Sequence, residues 1–260
     1  MKLSETDMED LAYAKKLLEY PGIAATIMNV LGIPFEQGIQ ALPEKWVEYI
    51  NNISEKALYS ALDFAVLTLG KNTKEKSSDM VHKIAVAGSG CVGGLFGLPA
   101  LAIELPISTT IILRSVADIA GTQGEDINNI QTKLACLEVF AFCGRTKDND
   151  SAGTSYYAAK AALSRAVSEA SAYIAEHGIA EAEAPFIVRM IANISSRFGI
   201  AVSEKTVASA VPVTGSAGGA IINTIFINHF QNMARGHFII RRLEREYGTK
   251  RIEAEYRENF

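Results

Sequence analysis

The stretch HKIAVAGSGCVGGLFGLPALAIELPISTTIILRSVADIAG, residues 82–121, decides how this chain folds. Between Lys83 and Arg114 its one formal charge is Glu104. Its first half is crowded with small residues: Gly88, Ser89, Gly90, Cys91, Gly93, Gly94 and Gly97. Three physical accounts compete for it: a phosphate-cradling loop after a β-strand, a membrane-embedded hairpin, and a buried helical hairpin whose glycines let backbones touch.

The phosphate-loop account rests on Gly88-x-Gly90-x-x-Gly93 after Lys83-Ile-Ala-Val-Ala. That spacing matches a dinucleotide fingerprint, in which glycines allow a tight turn and close approach of a pyrophosphate. The surroundings argue against it. Pro99 would sit in the crossover helix and remove a hydrogen bond there. No further strands follow in alternation with helices, as such a domain requires. Dinucleotide binding is the weakest of the readings.

The membrane account needs about 20 apolar residues per crossing. Ile84 to Ile103 and Thr206 to Asn228 reach that length without a charge other than Glu104 beyond the end of the first. Glycine, serine, proline and asparagine dilute both. Small residues at helical spacing (Gly90, Gly93, Gly94 and Gly97, then Gly215, Gly218 and Gly219) suit close helix contact in lipid or bound lipid, and equally a dense protein core. Lys205 to Arg235 again contains no formal charge between its ends. Placing residue 110 on residue 224 aligns TIILRSVADIA with TIFINHFQNMA, a twofold internal repeat of the hairpin.

Working outward, the chain reads as helical throughout. Ser4 and Asp7 open a helix with Leu11, Ala14, Leu17 and Leu18 on one stripe. A short helix runs from Ile23 to Leu31 and another small one reaches Leu42. Pro43 then opens a long helix whose core face reads Trp46, Ile50, Ile53, Ala57, Ala61, Phe64 and Leu67. Asn128 and Gln131 have capping-box spacing for a helix to Phe142. An alanine-rich helix stops at Gly178, and one from Pro185 is expected to stop at Gly199. Ser203 is expected to start a further helix before Val211-Pro212. The expected fold is all-α: a single domain over 1–260, with N-terminal helices to residue 70, a first Gly-rich hairpin region at 82–143, Ala-rich helices at 154–199, a second Gly-rich hairpin at 203–248 and a charged tail at 249–260.

The chain has 260 residues, 48% of them hydrophobic and 21% charged, and a formal net charge of −4. This is long enough for a sizeable core. It is too acidic for a nucleic-acid surface, so no nucleic-acid partner is expected. Late basic residues (Arg241, Arg242, Arg245, Lys250 and Arg251) alternate with glutamates, which reads as a solvated helix. Cys91, Cys136 and Cys143 lack a metal or redox spacing and suit buried thiols in a reducing compartment. The acidic, amphipathic N-terminus is unlike a secretory signal. The expected location is cytoplasmic, against or within the inner face of the cell membrane.

Candidate polar residues lie on the two central helices. Arg114 and Asp118 share a stripe with Ile107 and Ile111, and a partly exposed ion pair is the plainer reading. Glu104 before Pro106 reads as a carboxylate at a helix start, favoured by the dipole. On the last long helix, Ile222, Phe226, His229, Met233, Ile240 and Leu243 form one stripe, with His237 at its border. Asn228 and Arg235 lie opposite, and Asn223 stands near the start. His229 on an apolar face reads as a core histidine. His229 and His237 lack H-E-x-x-H spacing, so no metal is expected, and no cofactor either. No nucleophile elbow is present. Tyr156-Tyr157 and Gly124-Glu125-Asp126 read as packing and capping.

The run Pro212-Val-Thr-Gly-Ser-Ala-Gly-Gly-Ala-Ile-Ile-Asn223, with the following Asn228-His229, Arg235-Gly-His237 and Arg242-Leu-Glu-Arg-Glu-Tyr-Gly248, resembles the C-terminal signature of the EcsC protein family. Glu104-Leu-Pro-Ile-Ser-Thr-Thr-Ile-Ile-Leu-Arg114 followed by Gly124-Glu-Asp126 resembles its middle motif, and Tyr156-Tyr-Ala-Ala a shorter one. Thr214-Gly-Ser departs from the usual Gly-Ala pair. The resemblance spans about residues 5 to 248. It implies a helical bacterial protein associated with ABC transporter components, and it carries no catalytic residues over. The expected function is a non-enzymatic accessory protein at the cytoplasmic membrane face, binding lipid or a membrane-protein partner. The alternatives are an enzyme with a polar pocket between the repeats, built from Glu104, Arg114, Asp118, Asn223, Asn228, His229, Arg235 and His237, and a soluble homo-oligomeric scaffold.

Overall fold

Ser4 caps the first helix: its Oγ accepts from the Asp7 N–H at 3.1 Å, satisfying a donor that the helix cannot. From there a computed structural model describes residues 3–19, 22–31, 42–69, 97–142, 155–178, 184–210 and 217–258. Among these residues there are nine α-helices and no strand. They are α1 (Glu5–Leu18), α2 (Ile23–Leu31), α3 (Glu44–Thr68), α4 (Gly97–Thr122), α5 (Ile130–Glu138), α6 (Ser155–His177), α7 (Pro185–Ala210), α8 (Ala217–Tyr247) and α9 (Thr249–Glu258). A 3₁₀ turn, Val139–Ala141, extends α5. All nine contribute to one apolar core, so the all-α expectation holds. At its middle, Phe140 lies 5.1 Å from both Phe198 and Phe230, and Phe226 lies 5.0 Å from Phe230, centroid to centroid.

The helices that carry the repeat, α4 and α8, pack against each other and run parallel. Gln231 Nε2 donates to Ser115 Oγ at 2.8 Å, and further along both chains Arg245 donates to the Gln123 carbonyl at 2.7 Å. The aligned positions share a burial pattern: Ile112 with Phe226, Val116 with Phe230 and Ala120 with Ala234 are all buried. The first arm of the expected 82–121 hairpin lies outside the described residues. Its second arm is one helix from Gly97, running straight through Pro106.

Three expectations need correction. The helix from Pro185 does not stop at Gly199, and none starts at Ser203; α7 continues to Ala210, crossing the expected 154–199 and 203–248 boundaries. A Cβ on Gly199 would collide with Asn51 of α3, so this glycine is a contact point where the sequence reads as a stop. On α3, Trp46 and Leu67 are 40% and 54% exposed; the buried stripe instead continues through Leu58, Leu62 and Ala65. The cap of α5 is Asn129, one residue later than expected, with Oδ1 accepting from the Gln131 N–H at 2.8 Å. Gly178 and Gly248 do end helices, in the left-handed region at φ 73° and 89°, which side chains with a Cβ adopt at a cost.

The stretch Thr206 to Asn228 includes the end of α7 and the start of α8, and residues 211–216 between them lie outside the described residues. Among the described residues one helix, Pro185–Ser209, is long and apolar enough to cross a membrane, and half of it is buried inside the protein.

Candidate functional site

The eight polar residues singled out on α4 and α8 do not converge. Asp118, Asn223 and Asn228 are exposed, and Arg114 is half-buried. No ion pair between Arg114 and Asp118 is present among the described residues. Glu104 is not at a helix start but two turns inside α4, where it pairs with Lys205 of α7. Lys205 is the last charge before the uncharged run, and that isolation was its signal in the sequence. Its Nζ also lies 4.9 Å from the centre of the Phe226 ring, a favourable seat for a cation. Arg235 donates to Asn232 on its own helix at 2.9 Å. His229 is buried beside Phe230, and burial pushes its imidazole down to about 4, so it is neutral. Its Nε2 has no hydrogen-bond partner among the described residues.

Gly90, Gly93, Gly94 and Gly215 lie outside the described residues. Gly97 opens α4, and Gly218 and Gly219 fall in the first turn of α8. A close helix approach occurs elsewhere, at Gly236. A Cβ there would come within 2.6 Å of Leu18 Cγ and 3.0 Å of the Ala14 carbonyl oxygen, so α1 rests on the backbone of α8.

The eighth residue, His237, belongs to a different cluster, at the end where α4 and α8 finish. Tyr156 Oη and His237 Nδ1 are 2.9 Å apart, and the two rings and Phe142 stack around one another. Glu138 Oε2 stands 4.0 Å from His237 Nε2. Lys160 pairs with Glu244. Arg241 donates to Glu125 at 2.9 and 3.3 Å, and Arg245 pairs with the same carboxylate. Thr132 completes the set with a 3.1 Å bond to Glu125. The expected solvated helix at 241–245 is thus a correction: its charges are matched by partners 84 to 235 residues distant in the chain.

The electrostatics follow burial and pairing. Burial raises the Glu125 carboxyl, but Arg241 and Arg245 outweigh it and hold the group below the usual carboxylate range. Glu138 lacks such a contact, and burial pushes it up to about 7. Burial, with Arg241 and Lys160 nearby, holds His237 well below its ordinary value. Burial likewise raises the phenols of Tyr156 and Tyr157 and the Cys136 thiol, which stay protonated. A satellite of this cluster fixes α1: Arg242 reaches Asp7 at 3.0 Å and Asp10 at 2.5 Å, and Tyr247 donates to Asp7 at 2.7 Å. Perturbed titratable groups often mark function, yet Glu138, Tyr156 and His237 are all buried, His237 completely. This arrangement can hold protons and fix helices, with no opening for a large substrate at His237.

The other end of the pair has the opposite character. Because α4 and α8 are parallel, both helices begin at one end, where Ile103 and Ile221 are 67% and 38% exposed. Helix α3 begins there too. Its Asn51 meets Gly199, six residues before the Lys205 that pairs with Glu104, whereas its Val66 carbonyl accepts from Lys133 of α5 at 3.3 Å. Trp46 and Val47, 40% and 39% exposed, therefore stand on the same end as Ile103 and Ile221.

The segments that carry the sequence resemblance divide between these ends. Gly124-Glu125-Asp126, Tyr156-Tyr157, His237 and Arg242–Gly248 build the polar one, while Glu104 and the start of α8 lie at the apolar one. Among the described residues no group of three or more histidines, cysteines, aspartates or glutamates is placed to hold a metal ion. No curated protein and no solved structure matches the chain. The model of the EcsC protein family matches residues 24–243, most of the chain. With that match over both ends of the helix pair, the chain belongs to the EcsC protein family.

Proposed function

We propose that this chain is a non-enzymatic accessory protein that docks on the cytoplasmic face of a membrane through the end where α3, α4 and α8 begin. The observation that carries the reading is the parallel packing of α4 and α8. It brings the starts of α4 and α8 to one end, together with exposed Ile103, Ile221, Trp46 and Val47. Scattered exposed apolar residues need no explanation, but several on one end, beside two apolar chain segments, favour an apolar partner. The tryptophan supports a lipid interface, where an amphipathic ring is favoured. The resemblance to a transporter-linked family makes a membrane complex, with ABC transporter components as partners, the natural setting.

The dispersal of Glu104, Arg114, Asp118, Asn228 and Arg235 gives the enzyme reading no pocket on these residues to build on. The docking reading is tested by flotation with vesicles of phosphatidylethanolamine and phosphatidylglycerol. Wild-type protein floats with the vesicles, and the double variant Ile103→Glu/Ile221→Glu does so at least about tenfold less, since each exposed isoleucine contributes about 1.5–3 kcal/mol when buried. Protein that remains at the bottom of the gradient, and that scatters light as a dimer, would favour the homo-oligomeric scaffold instead.

A further inference from the structure

His237 is completely buried, yet its Nε2 has no hydrogen-bond partner among the described residues. Its other nitrogen faces Tyr156 Oη at 2.9 Å. The buried phenol keeps its proton and needs an acceptor, which Nδ1 supplies. That assignment places the imidazole proton on Nε2, pointing at Glu138 Oε2 4.0 Å away. The gap is too long for a direct hydrogen bond. It is the right span for one water oxygen at ordinary hydrogen-bond distance from both groups, and polar walls of this kind hold water where apolar ones stay dry.

The surrounding charges decide the proton count. Lys160 of α6 is matched by Glu244 of α8, and Arg241 and Arg245 of α8 share Glu125, the residue that leads into α5. The phenols that face the cluster, Tyr156 and Tyr157 from α6 and Tyr256 from α9, are all held protonated by burial. No cation among the described residues contacts the Glu138 carboxyl apart from His237 itself. Ionising both members of the pair would bury two further charges at a separation that no direct bond offsets.

We propose that the gap between His237 Nε2 and Glu138 Oε2 is a binding site for one water molecule, and that the pair around it is neutral, with its single proton on the Glu138 carboxyl group. Water accepts from Nε2–H and donates to Oε2. The site sits between α5 and α8 and joins two segments that the family match includes.

The linkage can be stated with its sign. The Glu138 carboxyl rises from its ordinary 4.5 to about 7, so the folded state keeps a proton that the unfolded chain releases. Its contribution to stability therefore falls as pH rises from 4.5 to about 7. His237 is held well below 6.5, so the unfolded chain takes up a proton that the folded state refuses. Its contribution rises with pH up to 6.5. In the part of the range between 4.5 and 6.5 that lies above the lowered His237 value, the pair carries one proton in either state, on Glu138 when folded and on His237 when unfolded, and the two slopes cancel.

Single variants uncover the cancellation. Folding constants of wild type, Glu138→Gln and His237→Gln are measured by urea unfolding across this pH range. Relative to wild type, the constant of Glu138→Gln grows about tenfold per pH unit, and that of His237→Gln shrinks about tenfold per unit. Taking ratios to wild type removes the contributions of all other groups. Ratios that do not change with pH would mean that the partner left in each variant stays ionised in the folded protein, and that result overturns the proposal. Nitrogen-15 NMR of histidine-labelled wild type gives an independent reading. We expect a neutral ring protonated at Nε2, with an exchange-resistant cross-peak from Nε2–H to bound water. A doubly protonated ring overturns the neutral pair, and a neutral ring without the water cross-peak overturns the water site.

Discussion

The two ends of the α4–α8 pair have opposite chemistry. Where the helices finish, Glu125, Lys160, Arg241, Glu244 and Arg245 pair with one another across two helices and a turn, and little of the charge faces water alone. Where they begin, the one cross-helix ion pair among the described residues is Glu104 with Lys205, and Ile103 and Ile221 face outward. The first end spends its polar groups on holding helices together. The second leaves apolar surface that no described residue covers. Stability and docking are therefore expected to separate cleanly under mutation.

The largest effect belongs to the polar end. Glu125→Ala leaves Arg241, largely buried, without its carboxylate. Breaking one side of such a pair costs about 3 kcal/mol, read as a lower urea midpoint, while vesicle binding by the folded fraction is unchanged. Next is the seam with α1. Gly236→Ala forces a Cβ against Leu18 and the Ala14 carbonyl, and overpacking of this kind costs about 1–3 kcal/mol.

A smaller effect comes from Glu204, which accepts from the Ala24 N–H at 3.1 Å and so ties α2 to α7. Burial pushes its carboxyl from 4.5 up to about 6, against the pull of that N–H. The folded state thus holds a proton that the unfolded chain has lost, and stability falls as pH rises between these values, then levels. Glu204→Gln removes that fall and makes the protein more stable at neutral pH by up to about 2 kcal/mol. The smallest effects are expected at Asp118 and Asn228. Both are exposed, and alanine at either changes stability by less than about 0.5 kcal/mol. A large loss at either would restore the pocket that their positions deny.

What was legible in the sequence follows the range of the physics. Local periodicity placed the buried stripe of α8 from Ile222 to Leu243, because burial there depends on spacing within one helix. The Ser4 cap and the glycine stops at 178 and 248 were legible for the same reason. Gly199 and Pro106 were misread because a glycine serves as a stop or as a contact, and a proline as a start or an interior residue, and only the neighbouring helix decides. Glu125, Arg241 and Glu244 read as capping and solvated charge because their partners are remote in sequence. Of the eight candidate polar residues, His237 alone lies in the polar cluster. Its place there is set by Tyr156 and Glu138, which no spacing rule connects to it.

Trp46 is the chain's one tryptophan, and it stands on the apolar end. Its fluorescence therefore reports docking without any label. On titration with phosphatidylethanolamine–phosphatidylglycerol vesicles, the emission shifts to the blue, and brominated lipid quenches it. Emission that stays fixed and unquenched, from protein that circular dichroism shows to be folded and helical, would contradict docking through this end.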